Sequence, residues 1–187
     1  MKHLRSLLLV LLLPVLLLSA CAKDRFEPAQ LRERYAGADF SAEYAVMTHA
    51  GFACVYQLTC DHSDGISEVT IGEPRSVAGI KAVMQEGNAR LQYGGISLDA
   101  LLPEVAGYSP MDALHGVLED LRSAEAAQYG EENGLLRVEY RETLPDGRQT
   151  VKSVLLAPAT LELVAAECYL EDSLILSLEI TQMEWRT

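Results

Sequence analysis

The chain has 187 residues, 49% of them hydrophobic and 22% charged, which is enough to bury one sizeable core and short of what two domains usually need. Ordinary glycine, proline and aromatic contents exclude a collagen-like, low-complexity or wholly disordered chain. With 15 basic against 27 acidic residues and a formal charge of −12, the chain lacks the basic footprint that nucleic-acid binding needs.

Lys2, His3 and Arg5 make a positively charged start, and Leu7–Leu18 follows as an unbroken apolar run. That run is too short to span a bilayer and has the length of a signal-peptide core. Leu18-Ser19-Ala20-Cys21 closes it and resembles the lipobox of bacterial lipoproteins, in which the cysteine thiol is lipidated after cleavage just before it. The resemblance implies a protein held by palmitate-type acyl chains at Cys21 on the extracytoplasmic face of the cell membrane. An ordinary signal peptide cut at Ser19-Ala20, with Cys21 a bystander, is the alternative. Cleavage removes Lys2 and Arg5, so the processed chain is more acidic and would be repelled by anionic headgroups. Two or three acyl chains suffice to anchor it without a polybasic patch.

Residues 1–20 are therefore read as signal peptide, 21–38 as a lipidated tether with a short helix, and 39–187 as the folded domain. Pro28 suits the helix's first turn, and Leu31 and Tyr35 lie four apart on one face. From Asp39 the period changes to two: Phe40, Tyr44 and Val46 share one parity, and after Ala50-Gly51 so do Phe52, Cys54, Tyr56, Leu58 and Cys60. The two runs predict a hairpin. Asp61-His62-Ser63-Asp64-Gly65 reads as a turn, with strands expected near 66–71, 80–85 and 89–93.

Ser109, Pro110 and Asp112 make a helix start, and Met111, Leu114, Val117, Leu118 and Leu121 form one apolar stripe behind it. After a polar stretch through Asn133, strands are expected near 135–143, 150–157, 163–170 and 174–183. The sum is about eight or nine strands with one helical insertion. Sequential hairpins favour an α+β fold: a strongly curved antiparallel sheet, open or half-closed as a barrel, with helices covering one face.

Phe40-Ser41-Ala42-Glu43-Tyr44, Val77-Ala78-Gly79-Ile80, Gly107-Tyr108-Ser109-Pro110-Met111, Ala165-Ala166-Glu167-Cys168-Tyr169 and Leu174–Ile180 resemble the LolA/LolB-like lipoprotein superfamily, and more narrowly its germination-lipoprotein (GerS-like) branch. The resemblance implies an eleven-strand-like half barrel whose concave apolar face holds lipoprotein acyl chains. A chain with its own lipobox fits an anchored acceptor, or an adaptor for a peptidoglycan-processing enzyme, better than a shuttle.

Enzyme signatures are sparse. The sequence has no phosphate-binding G-x-x-x-x-G-K-[ST], no G-x-S-x-G and no H-E-x-x-H. Asp61-His62-Ser63-Asp64 contains the letters of a triad but sits in one turn, whereas triads gather residues distant in sequence. His49, His62 and His115 read as solvated, and Glu131, Glu132, Glu139 and Glu142 as a solvated face. No catalytic residue, metal or cofactor is expected.

Tyr44, Tyr56, Leu58, Met84, Leu91, Met111, Leu114, Leu118, Leu176 and Leu178 are the candidates to line a site for an apolar ligand, and equally an ordinary core. Such a site would serve an apolar ligand or a cell-envelope protein partner. Cys54 and Cys60, six residues apart on one strand, stand roughly 20 Å apart, beyond disulfide reach. Cys168 can bridge only one of them, leaving a thiol that is buried or free to join a second copy as a homodimer.

Overall fold

The computed structural model describes residues 27–37, 39–85, 88–100 and 106–186. The predicted signal peptide, Cys21 and most of the tether lie outside these residues. The chain divides into two units, residues 1–30 and 31–187, and the second contains the whole sheet.

Helix α1 (Pro28–Tyr35) crosses that boundary and buries Leu31 and Tyr35. Six strands follow: β1 (Asp39–Thr48), β2 (Cys54–Ser63), β3 (Ile66–Glu73), β4 (Lys81–Gln85), β5 (Asn88–Tyr93) and β6 (Ile96–Ala100). Helix α2 (Ala113–Ser123) separates them from β7 (Gln128–Glu132), β8 (Leu135–Thr143), β9 (Gln149–Leu156), β10 (Leu163–Leu170) and β11 (Ser173–Arg186). All eleven strands form one antiparallel sheet in the order β6-β5-β4-β3-β2-β1-β11-β10-β9-β8-β7. Every neighbouring pair is a sequential hairpin except β1 and β11. The sheet is open, with β6 and β7 as its edges. Register shifts at Glu43/Tyr44, Gln57/Leu58 and Cys168/Tyr169 mark the bulges or irregularities that help a wide sheet curve.

Parity divides the sheet into two faces. Phe40, Ala42, Tyr44 and Val46 on β1 lie opposite His62, Cys60, Leu58 and Tyr56 on β2. Val69 on β3, Ala82 and Met84 on β4, Val138 on β8, Val154 on β9, Ala166 on β10 and Leu178 on β11 continue this inner face, and all are buried. Ser41, Glu43, Asp61, Glu68 and Glu184 lie on the outer face, in a polar groove that also includes Lys81. The strict alternation is what allows one face to be apolar and the other wet.

The predicted hairpin of β1 and β2 and the strands at 135–143 and 163–170 are present as expected. The count of eight or nine strands is corrected to eleven among the described residues. The missed strands are β6, whose residues are almost all exposed, and β7, within the stretch read as polar loop. The turn expected at 61–65 is narrower, because β2 runs through Ser63 and only Asp64-Gly65 turn. Helix α2 starts at Ala113 rather than near Ser109. The Asp112 carboxylate accepts from the Gly107 and Ser109 backbone N–H groups and the Ser109 hydroxyl, and so holds the preceding turn. Among the described residues no helix is long and apolar enough to cross a membrane.

Candidate functional site

Helix α2 buries Ala113, Leu114, Gly116, Val117, Leu118 and Leu121. Its polar side chains bond to groups of the inner face. Lys152 on β9 donates to the Asp120 carboxylate at 2.7 Å and to the Gly116 carbonyl at 3.3 Å. Ahead of the helix, the Tyr108 hydroxyl donates to the Tyr169 carbonyl on β10 at 2.7 Å.

The second attachment is a buried polar chain across β2, β3 and α2. Arg122 Nη2 lies 3.2 Å from His62 Nε2, His62 Nδ1 lies 2.8 Å from Ser67 Oγ, and Ser67 Oγ lies 3.4 Å from His115 Nδ1. A guanidinium only donates, so His62 Nε2 must accept and its Nδ1 must carry the proton that goes to Ser67. The serine hydroxyl then donates to His115. Phe40 stacks on His62 with centroids 5.0 Å apart, and Arg122 Nε donates to the Tyr35 carbonyl at 3.0 Å. His62 is therefore not the solvated loop residue that its polar neighbours in sequence imply. It is buried on the inner face, while adjacent Asp61 points outward to Arg186. Burial, then the Arg122 charge, lower the His62 pKa, and burial lowers that of His115.

Ser67 beside two histidines invites a hydrolase reading. Ser67 is buried, and its hydroxyl lies between the two rings at 2.8 Å from His62 Nδ1 and 3.4 Å from His115 Nδ1. Glu139 also departs from expectation. It is buried between Arg137 at 2.7 Å and Arg141 at 2.9 Å rather than solvated. Among the described residues no cluster of His, Cys, Asp or Glu is arranged to hold a metal.

The ten candidate lining residues separate by position. Tyr44, Leu58, Met84, Leu114, Leu118, Leu176 and Leu178 are buried, Tyr56 and Met111 are half-buried, and Leu91 is exposed. Leu91 leads to a feature that sequence reasoning missed. It faces Leu98 across the β5–β6 ladder, and Tyr93 faces Ile96. The four share the parity of buried Ala82 and Ala89, so they belong to the inner face, yet they are 37%, 62%, 57% and 65% exposed respectively. Strict alternation in Leu91-Gln92-Tyr93 and Ile96-Ser97-Leu98 was the available signal.

Cys54, Cys60 and Cys168 are free thiols, so no disulfide links any two of them. Burial pushes the Cys60 and Cys168 thiols up to about 12.

No protein-family model matches this sequence, and no match to a curated protein was found. Solved structures are similar in fold. A DUF1329 family protein from Desulfovibrio piger superposes with a TM-score of 0.52 at 10% identity, over 86% of this chain and 90% of that one. A LolA superfamily protein from Nitrosomonas europaea gives 0.48 at 13% identity, over 87% and 94%. The Mycobacterium tuberculosis lipoprotein LppX gives 0.43 at 12% identity, over 83% and 92%. At these identities the likeness concerns the fold alone.

Proposed function

We propose that this chain is a lipid-anchored, non-catalytic protein of the bacterial cell envelope that takes an apolar ligand of the acyl-chain class on the inner face of its sheet. One observation carries the reading: the apolar inner face continues past its buried part and emerges as Leu91, Tyr93, Ile96 and Leu98. A contiguous exposed apolar patch on an otherwise acidic chain is the mark of a binding surface. Helix α2 is the cover over the buried part, and the β5–β6 hairpin is the mouth. The anchor is Cys21, at the extracytoplasmic face of the membrane.

Titration with a fluorescent fatty acid tests the site. Saturable uptake is expected in the wild type, reduced about tenfold or more by Leu98→Asp with the melting temperature unchanged. Absence of saturable uptake, or equal uptake by the variant, would overturn the assignment. Labelling cells with a fatty-acid analogue tests the anchor separately, since incorporation must be lost in Cys21→Ala.

A protein partner is the second reading, in the manner of a germination-lipoprotein adaptor. It is favoured by the position of the patch at β6, an edge strand whose outer backbone groups meet no further strand among the described residues. Normal probe uptake in Leu98→Asp together with loss of envelope crosslinks would favour this reading.

A further inference from the structure

The buried chain of polar groups under α2 has a built-in direction of proton donation, and acid reverses it at one point. We propose that the His62–Arg122 contact is an acid-sensitive latch: a proton on His62 Nε2 replaces a hydrogen bond with the repulsion of two cations and frees the C-terminal end of α2 from the sheet. In the neutral form, Arg122 holds two uncharged acceptors, His62 Nε2 at 3.2 Å and the Tyr35 carbonyl at 3.0 Å. Among the described residues no carboxylate lies within ion-pair distance of Arg122. Glu119, one turn earlier on α2, acts on Arg122 through space without forming an ion pair with it.

Two carboxylates, Asp39 and Asp61, act on His62 through space and oppose the effect of Arg122. Asp61 on its own strand is held by Arg186 at 2.6 Å on the outer face, and Asp39 Oδ1 on β1 accepts from the Asp64 N–H at 3.2 Å. From α2 come Arg122 and His115, and from β3 comes Ser67; Glu119, one turn before Arg122, and the neutral thiol of Cys60 act on Arg122. Around His115 stand Glu119, Arg122, Asp112 and Lys152. Burial is the first cause lowering both histidines, and in His62 the Arg122 charge adds to it.

The sign follows. The folded protein keeps both imidazoles neutral at a pH where the unfolded chain, with histidines near 6.5, already binds protons. The unfolded state then holds more protons, so stability is complete above about pH 6.5 and falls as pH drops toward the folded-state values. Each histidine contributes up to about a tenfold change in the folded-to-unfolded ratio per pH unit within that window. The uncovering of the inner face to a ligand rests on the apolar-ligand reading. The latch itself is read without ligand, so either can fail alone.

The chain's single tryptophan is placed to report it. Trp185 lies 5.7 Å from Phe40, which stacks on His62, and 5.4 Å from Tyr35, whose carbonyl Arg122 holds. The experiment follows Trp185 fluorescence of the full chain in non-ionic detergent from pH 8 to 4.5, with hydrogen exchange of the α2 amides over the same range. The expected result is a transition with its midpoint below 6.5 and exchange of α2 at least tenfold faster on its acid side. The Trp185 transition should shrink to the share left by His115 in His62→Gln, persist in full in Asp120→Asn and move to higher pH in Arg122→Met, which removes the opposing cation. Should His62→Gln fail to fold, the histidine signals of wild type and Arg122→Met, followed by NMR, decide the matter. An unmoved His62 midpoint in Arg122→Met, a Trp185 transition of undiminished size in His62→Gln, or α2 exchange that ignores His62 protonation would each overturn the proposal.

Discussion

Gly116 on α2 and Gly107 in the turn before it meet backbone to backbone: a Cβ built on Gly116 would stand 2.5 Å from the Gly107 Cα and N atoms. Alanine normally stabilises a helix interior by about 1 kcal/mol over glycine. Here the sign should invert, because the obstacle is backbone and Gly107 is fixed by its N–H bond to Asp112 and its positive φ. Chemical denaturation of Gly116→Ala should give a lower midpoint than wild type, and a higher one would show that the turn yields.

Lys152 and Asp120 form a largely buried pair, with side chains 10% and 22% exposed. Removing one partner leaves the other charge without compensation, so Lys152→Met should cost about 3 kcal/mol. The double variant with Asp120→Leu should recover most of that loss in thermal unfolding. Equal losses in single and double variants would mean that the ammonium's stem, not its charge, contributes the stability.

Leu118 is 2% exposed on α2, whereas Leu98 is 62% exposed on β6. A carboxylate at the first position has no partner and must be desolvated; at the second it stays in water. Leu118→Glu should lower the melting temperature by many degrees and Leu98→Asp by little, as read by circular dichroism. Similar melting for both would place α2 in a looser interface than the burial indicates.

Cys60 and Cys168 are buried and hold their protons to about 12, while Cys54 is half-buried. Since only the thiolate is nucleophilic, mass spectrometry after iodoacetamide at pH 7.5 should find Cys54 alkylated first among the three. The other two should react only after denaturant is added. Equal rates would mean that the sheet opens around β2 or β10 in the native state.

The Tyr44 hydroxyl is buried with no hydrogen-bond partner among the described residues. A desolvated hydroxyl costs about 1 kcal/mol or more, so Tyr44→Phe should leave stability unchanged or raise it. A drop in melting temperature beyond the loss of packing would point to an ordered water or ligand atom bonded there.

The sequence showed the strands that have one wet face and one dry one. Along 39–46 and 66–71 buried and less buried residues alternate without interruption, whereas 135–143 and 163–170 were legible from their apolar content between turn residues. At the two sheet edges this signal fails. Gln128–Glu132 buries almost nothing, so its composition is that of a loop, and Ile96–Ala100 alternates but exposes both faces. His62 was misread because its meaning lies in Arg122 and His115, far along the chain, while its sequence neighbours are polar. Glu139 was misread for another reason: two arginines on its own strand make burial tolerable, and alternation alone does not distinguish that from a wet face. The helix start was displaced because Ser109, Pro110 and Asp112 together suit a first turn, whereas the Asp112 carboxylate is taken up by the Ser109 N–H and hydroxyl of the preceding turn.

The pairing of β1 with β11 also governs the order of assembly. Each flank of the sheet zips from hairpins of short sequence separation, but the seam closes only when Phe40 meets Trp185, with nearly the whole chain between them. Until β11 has been synthesised, β1 is a bare edge presenting Phe40, Tyr44 and Val46 to solvent. The N-terminal flank therefore waits, during synthesis, with an unpaired edge of the kind that pairs with a neighbouring chain, until the last strand of the sheet arrives.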